Sequence, residues 1–164
     1  DTAERLKLNS SAITENLGSV DWNPTATTIA TGGSPHHAAG QQIVYVWTGI
    51  EGFSKFGTYK GNGNTKGAFI YMGFKPAFMI TKRIDTAENW WLEDNKRNPI
   101  NPLNRLLYAD TAGAEVSGTG NDVSKDFLSN GVKIITNNAN WNADGGTYAF
   151  AAWAEMPFKY ATAR

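Results

Sequence analysis

The chain has 164 residues, with 15 lysines and arginines balanced by 15 aspartates and glutamates, so its formal net charge is zero. A balanced charge provides no bulk attraction to nucleic acid, and no apolar run is long enough to span a bilayer, so we expect neither nucleic-acid binding nor membrane insertion. The absence of cysteine excludes disulfides, thiolate metal sites and a cysteine nucleophile.

Short apolar runs, separated by Gly, Asn, Asp, Pro and Ser, recur along the chain. In chain order they lie at residues 69–72, 76–81, 90–92, 105–108, 127–128, 132–135 and 147–153. Such short runs are typical of the strands of a sandwich or barrel rather than of βαβ units. Residues 10–17 and 123–128 are weak helix candidates without a sustained apolar stripe. We predict an all-β fold, an antiparallel β-sandwich of the jelly-roll or concanavalin-like type with very little helix.

An internal repeat relates the two ends of the chain. Residues 28–31 (TIAT) align with residues 133–136 (KIIT), and the same offset places Tyr45 on Phe150. Self-similarity at a fixed offset is the sequence signature of duplicated structural units. The fold is therefore expected to be built from a repeated β-unit.

The repeat also predicts where the chain divides. Residues 1–52 resemble a second copy of residues 104–156, whereas residues 53–103 have no counterpart in the sequence. We predict that residues 1–52 are a partial copy that ends a preceding repeat unit, and that residues 53–164 form a complete β-sandwich unit. The alternative is that the partial copy folds together with the rest as one compact domain, because a half-unit is too small to bury its own apolar face.

Several motifs follow one another between residues 57 and 151. They are GTYKGNG at 57–63, GFKPAFMITK at 73–82, NWW at 89–91, FLSNGVK at 127–133 and GTYAFA at 146–151. Their order and spacing resemble a tandem β-repeat domain of predicted tail, fibre and other virion structural proteins of tailed bacteriophages, especially marine ones. The resemblance implies a place in the virion and oligomeric assembly, and it supplies no catalytic residues.

The remaining polar motifs are incomplete as catalytic or metal sites. His36 and His37 are adjacent, so on an extended segment they point to opposite faces and are expected to form a polar loop rather than a metal site. Glu93 and Asp94 lack the carboxylate separation of a glycosidase and are expected to be solvated strand ends. The Gly/Asn segment 61–64 lacks the ending of a phosphate-binding loop and predicts a hairpin turn. We therefore predict no enzymatic activity, no metal and no cofactor.

Tryptophans and their polar neighbours are the candidates for ligand binding, because exposed indoles stack on sugar rings while Asn and Asp bond hydroxyls. Trp141 aligns with His36 of the other copy, and a core position is not expected to alternate between these residues. We therefore predict that Trp141 is exposed. Trp90 and Trp91 alternate along a strand, so one of them is expected in the core. The candidate ligand-binding residues are Trp141, Asn140, Asn142, Asp144 and Trp90.

Two functions follow from these observations. The first is a structural component of a bacteriophage virion, a tail-fibre, spike or decoration domain that contributes to host attachment. It would self-associate as a homo-oligomer, a trimer if it is a fibre, and contact other virion proteins. The alternative is a carbohydrate-binding β-sandwich module that recognises a host-surface glycan. A depolymerase is a weaker third option, because it needs a cleft with convergent carboxylates.

Overall fold

The computed structural model describes residues 4–16, 45–118 and 124–155. By its internal contacts the chain forms two compact units. The first comprises Asp1–Leu6 and Thr14–Trp47, and the second comprises Lys7–Ile13 and Thr48–Arg164. In the first unit, β1 (Glu4–Arg5) pairs with β2 (Glu15–Asn16) in an antiparallel ribbon. The second unit thus includes a short N-terminal segment, residues 7–13, and resumes at Thr48 rather than at residue 53.

The elements of the second unit are β3 (Ser54–Lys60), β4 (Phe69–Tyr71), β5 (Pro76–Arg83), β6 (Trp90–Asp94), β7 (Arg105–Tyr108), β8 (Val116–Ser117), β9 (Lys125–Leu128), β10 (Gly131–Ile134), α1 (Ala139–Asn142) and β11 (Thr147–Ala154). Its strands form two antiparallel sheets. One has the strand order β3-β11-β5-β6-β7-β8 and the other the order β4-β10-β9. The predicted all-β sandwich with very little helix is therefore confirmed.

The main core lies between the two sheets. On β11, Tyr148 and Phe150 point inward at alternate positions, and from the facing sheet Phe127 and Val132 pack into the same cluster. Alternation follows from strand geometry, in which successive side chains point to opposite faces. Each fully buried apolar side chain stabilises the fold by about 1.5–3 kcal/mol, so these strands are held mainly by this shared core.

Three local predictions had different outcomes. The hairpin turn at Ser129-Asn130 is confirmed, since Leu128 pairs with Gly131 across it. The hairpin predicted at 61–64 is wrong, because β3 and β4 lie in different sheets and this loop carries the chain from one sheet to the other. The two helix candidates are also wrong in their described parts, where the chain forms β2 and β9.

Most of the predicted partial copy lies outside the described residues, including residues 28–31, His36 and His37. One aligned pair can be compared. Tyr45 is 71% exposed, whereas its counterpart Phe150 is 7% exposed and belongs to the main core. The two aligned residues therefore lie in different environments, and the repeat stays a prediction.

Candidate functional site

A single helical turn, α1, forms the corner between β10 and β11. Asn138 caps its start, because the side-chain Oδ1 of Asn138 accepts a hydrogen bond of 3.0 Å from the backbone N–H of Asn140. Asparagine is a preferred N-cap residue because its side chain satisfies a backbone donor that the helix leaves unpaired. Asn138, one of the asparagines of this Asn-rich loop, therefore starts the helical turn.

The side chain of Asn142 is fully buried and ties α1 to the loop that follows β3. Its Nδ2 donates to the backbone oxygens of Thr136 at 2.8 Å and of Asn64 at 2.7 Å. It also donates to Oδ1 of Asn62 at 2.9 Å, while its own Oδ1 accepts from the backbone N–H of Asn62 at 2.9 Å. Both polar atoms of this carboxamide are engaged inside the protein, as buried amides require.

Trp141 is 1% exposed, so its predicted exposure at a loop tip is wrong. Its ring centroid lies 4.5 Å from that of Trp91, and both indoles pack with Leu106 in a second, smaller core cluster. The helical turn that Asn138 starts directs this side chain into the sandwich. A side chain this deeply buried has no face open to a sugar ring.

The other predicted ligand-binding residues do not meet at one site. Asn140 is half-buried and Asp144 is exposed, both near α1. Trp90 lies on the opposite face of the six-stranded sheet from Trp91, and its Nε1 donates to the backbone oxygen of Lys7 at 2.8 Å. The expectation that one of the two adjacent tryptophans is in the core is confirmed, since Trp91 is buried.

Two stacked tyrosines hold α1 in place. The rings of Tyr59 and Tyr148 lie 4.8 Å apart at an interplanar angle of 11°. The Tyr59 hydroxyl donates to the backbone oxygen of Trp141 at 2.9 Å. The Tyr148 hydroxyl donates to the oxygen of Ala139 at 2.6 Å and accepts from the N–H of Ala143 at 2.8 Å. Both phenols must stay protonated to donate these bonds.

This arrangement predicts a loss of stability in alkali. Burial raises the pKa of Tyr59 well above its usual value near 10, with Tyr148 and Glu93 adding to the rise, and burial also raises the pKa of Tyr148. A raised folded-state pKa contributes stability that is complete below the unfolded value and is lost as the pH rises above it. We expect the free energy of unfolding to fall above about pH 10.

The alkaline transition can be followed by far-ultraviolet circular dichroism together with tyrosinate absorbance. The Tyr59→Phe variant, which has one buried phenol fewer, is expected to show a smaller loss above that pH. A matched Tyr71→Phe variant changes an exposed tyrosine and is expected to behave like the wild type. Equal alkaline profiles for wild type and Tyr59→Phe would contradict this account.

Glu93 is fully buried, so the expectation that it is a solvated strand end is wrong. Its Oε2 accepts a hydrogen bond from Nζ of Lys125, which is also fully buried, and its Oε1 accepts one of 2.6 Å from the Ser124 hydroxyl. Asp94 is only partly buried and accepts from the backbone N–H of Arg97 at 2.7 Å. Burial alone would raise the pKa of Asp94, but the hydrogen bonds from Arg97 outweigh that effect and lower it.

The side of the six-stranded sheet that faces away from the main core is here called the outer face. The sequence motifs did not reveal this surface. Strand register places Phe56, Ala151, Ile80 and Leu92 in one row across it, and Trp153 and Phe78 lie beside each other in the next row. The signal was present in β11, whose sequence TYAFAAWA is nearly apolar at both alternating positions. The central row of the outer face is therefore apolar, whereas the row on its other side contains Thr58 and Lys82.

The sequence model of a family described as a domain of unknown function (DUF7483) matches residues 1–157. The chain belongs to this family. No curated protein and no solved structure matches it. The residues matched to the DUF7483 domain include residues of both compact units of the chain.

Two features are absent from the part of the DUF7483 domain that the structure describes. Within residues 4–16, 45–118 and 124–155, no three histidine, aspartate or glutamate side chains are grouped so that they could hold a metal ion. In the same ranges, no helix has the length and apolar character needed to cross a membrane.

Proposed function

We propose that this DUF7483 domain is a structural component of a bacteriophage virion, located in a tail-fibre, spike or decoration protein. It joins the extracellular particle by self-association and by contacts with other virion proteins, and it contributes to host attachment without an enzymatic role. The order of its sequence motifs supports the proposal. The single observation that carries it is the apolar outer face.

On the outer face Phe56 is exposed, whereas the Trp153 and Phe78 rings beside it are half-buried. Phe56 is 37% exposed, and its ring lies 5.4 Å from that of Trp153 at an angle of 86°. On the other side of Trp153, the Phe78 ring is 5.6 Å away. Neighbouring apolar side chains that are still accessible favour an interaction surface at this face, because removing apolar area from water yields about 25 cal/mol per Å².

The edge of the same sheet is also open to association. β3 is the terminal strand of the sheet and pairs along its length with β11, while its first residue, Ser54, also forms a bridge with Ile50. Gly57 and Thr58 at its centre are exposed. An edge strand of this length offers backbone N–H and C=O groups to another strand. A second copy of the chain suits both the edge and the outer face, because a formal net charge of zero causes no bulk repulsion between copies.

Self-association is tested by multi-angle light scattering at micromolar concentration. We expect the wild type to form a homo-oligomer, a trimer if the domain belongs to a fibre. Phe56→Lys places a charge in the contact, which is expected to weaken association by about 100-fold and to yield monomers.

Thr65→Lys is the matched control, since it adds the same charge to an exposed position in the loop after β3. It is expected to assemble like the wild type. A wild type that is strictly monomeric and has no affinity for other virion proteins would contradict the proposal. Assembly that Phe56→Lys leaves unchanged would show that the outer face is not the contact.

A carbohydrate-binding module is the second candidate, and one observation in the first unit favours it. The rings of Tyr45 and Trp47 lie 6.0 Å apart at an interplanar angle of 20°, and these residues are 71% and 62% exposed. Exposed aromatic rings are the groups on which sugar rings stack. We therefore place the candidate glycan contact at these two residues instead of at Trp141.

A glycan array, followed by titration with host-surface polysaccharide, tests this candidate. Binding that Trp47→Ala abolishes and Trp141→Phe leaves unchanged would support it. The absence of any bound glycan would reject it, without bearing on self-association.

A further inference from the structure

The buried pair of Lys125 and Glu93 connects the two sheets across the core. Lys125 begins β9 in the three-stranded sheet, and Glu93 lies in β6 of the six-stranded sheet. Both residues are fully buried, and Nζ of Lys125 donates to Oε2 of Glu93. A bond between these two side chains would therefore link the halves of the sandwich directly.

The surroundings of the pair exclude bulk water. Leu103 forms a bridge with Lys125, and Met79 pairs with Glu93 across β5 and β6; both side chains are buried in the main core. Two hydroxyl groups form hydrogen bonds with the pair. Ser124 donates to Oε1 of Glu93 at 2.6 Å, and the Thr81 hydroxyl accepts from Nζ of Lys125 at 3.3 Å.

From this geometry we infer that Lys125 and Glu93 condense to form an internal amide cross-link after the chain folds. A proton passes from the ammonium group to the carboxylate, which leaves a neutral amine and a neutral acid. The Nζ lone pair attacks the Glu93 carboxyl carbon, and the nitrogen gives up a proton to the departing oxygen. The Nζ–Cδ bond forms, one Cδ–O bond breaks, and one water molecule leaves.

Two physical effects favour the reaction. The fold holds the amine against the carboxyl group, and well-oriented groups of this kind react with effective molarities on the order of 10⁵ M or more. Burial also favours neutral groups over charged ones, so proton transfer and the neutral amide both relieve the cost of two desolvated charges. Water that would hydrolyse the product is kept out of the core.

Ser124 is placed as a positioning residue for this step. Its hydroxyl bonds Oε1, whereas Lys125 bonds Oε2, so the two carboxylate oxygens are distinguished before the reaction begins. The hydroxyl can relay the proton to the oxygen that leaves. Ser124→Ala is expected to slow cross-link formation, seen as a slower fall in mass after the chain is newly synthesised, while the final cross-linked product is still reached.

Intact-mass spectrometry of the purified, denatured wild-type chain tests the inference directly. The expected mass is lower than the sequence mass by one water molecule. Digestion with trypsin is expected to leave Lys125 uncut and to yield a branched peptide that joins the segments containing Lys125 and Glu93. A full sequence mass in freshly folded and in aged protein would overturn the inference.

Two controls make the result specific. Lys125→Arg keeps the positive charge but supplies a guanidinium in place of the amine, so its mass is expected to equal its own sequence mass. Asp144-Gly145 can also lose water by forming a succinimide, and mild alkali reverses that loss but not an amide cross-link. Water loss that mild alkali reverses, or that Lys125→Arg retains, would also overturn the inference.

Discussion

Replacement of Trp141 by alanine is expected to lower the free energy of unfolding by about 3–5 kcal/mol, the range for removing a large aromatic side chain from a core. The indole packs against Trp91 and Leu106 in the smaller core cluster. Its removal leaves an apolar cavity that neither a polar group nor water can fill without a cost in free energy. Urea unfolding followed by tryptophan fluorescence and circular dichroism measures the change. Because α1 carries Trp141, we also expect local loosening at Asn142, visible as faster amide exchange.

Trp47→Ala is the matched control for this prediction, since it removes the same side chain from an exposed position. This substitution is expected to change the free energy of unfolding by no more than about 0.5 kcal/mol, as for most surface substitutions. If Trp141→Ala were as stable as Trp47→Ala, the buried position of Trp141 would be contradicted and the original prediction of an exposed ligand contact would be favoured.

Lys125→Met is expected to destabilise the domain by about 3–5 kcal/mol, because it leaves the Glu93 carboxylate buried without its positive partner. Met is close to Lys in length, so the effect comes mainly from the uncompensated acid rather than from lost volume. The loss of stability is measured as a shift in the midpoint of urea unfolding at neutral pH. This range applies to a wild type whose pair is ionic; a covalent amide in the wild type would make the loss larger, because a cross-link also restrains the unfolded chain.

A second substitution separates charge from packing. Glu93→Leu combined with Lys125→Met removes both charges and is expected to be more stable than Lys125→Met alone, as for buried ion pairs replaced by apolar residues. The control is Lys96→Met, whose ion pair with Glu155 is exposed and is expected to contribute no more than about 1 kcal/mol. A double variant no more stable than the single one would contradict the burial of Glu93.

The strands could be predicted from the sequence because their signals are local. The apolar run at 76–81 lies within β5, and the run at 90–92 lies within β6, since each is bounded by turn-forming or polar residues. The turn at Ser129-Asn130 is equally local, because Gly131 must pair directly with Leu128. In each case a few neighbouring residues determine the local backbone structure.

The interior contacts could not be predicted in this way, because they join residues that are distant in the chain. Glu93 and Lys125 are 32 residues apart, and neither sequence neighbourhood indicates a buried charge. Asn142 and Asn62 are 80 residues apart, so the sequence alone predicts a ligand site in the Asn-rich loop and not the internal hydrogen bond between these two side chains. The alignment of Trp141 with His36 compared residues whose environments the sequence alone does not define.

The proposed place of the chain in a virion is tested most directly by mass spectrometry of purified particles of a tailed phage whose genome contains its gene. Particles are banded by density, and the peptides of this chain are quantified against those of the other virion proteins. The account predicts that these peptides band with the particles at a fixed ratio to the other tail proteins. Their absence from the particles, with recovery only from the soluble lysate, would contradict it.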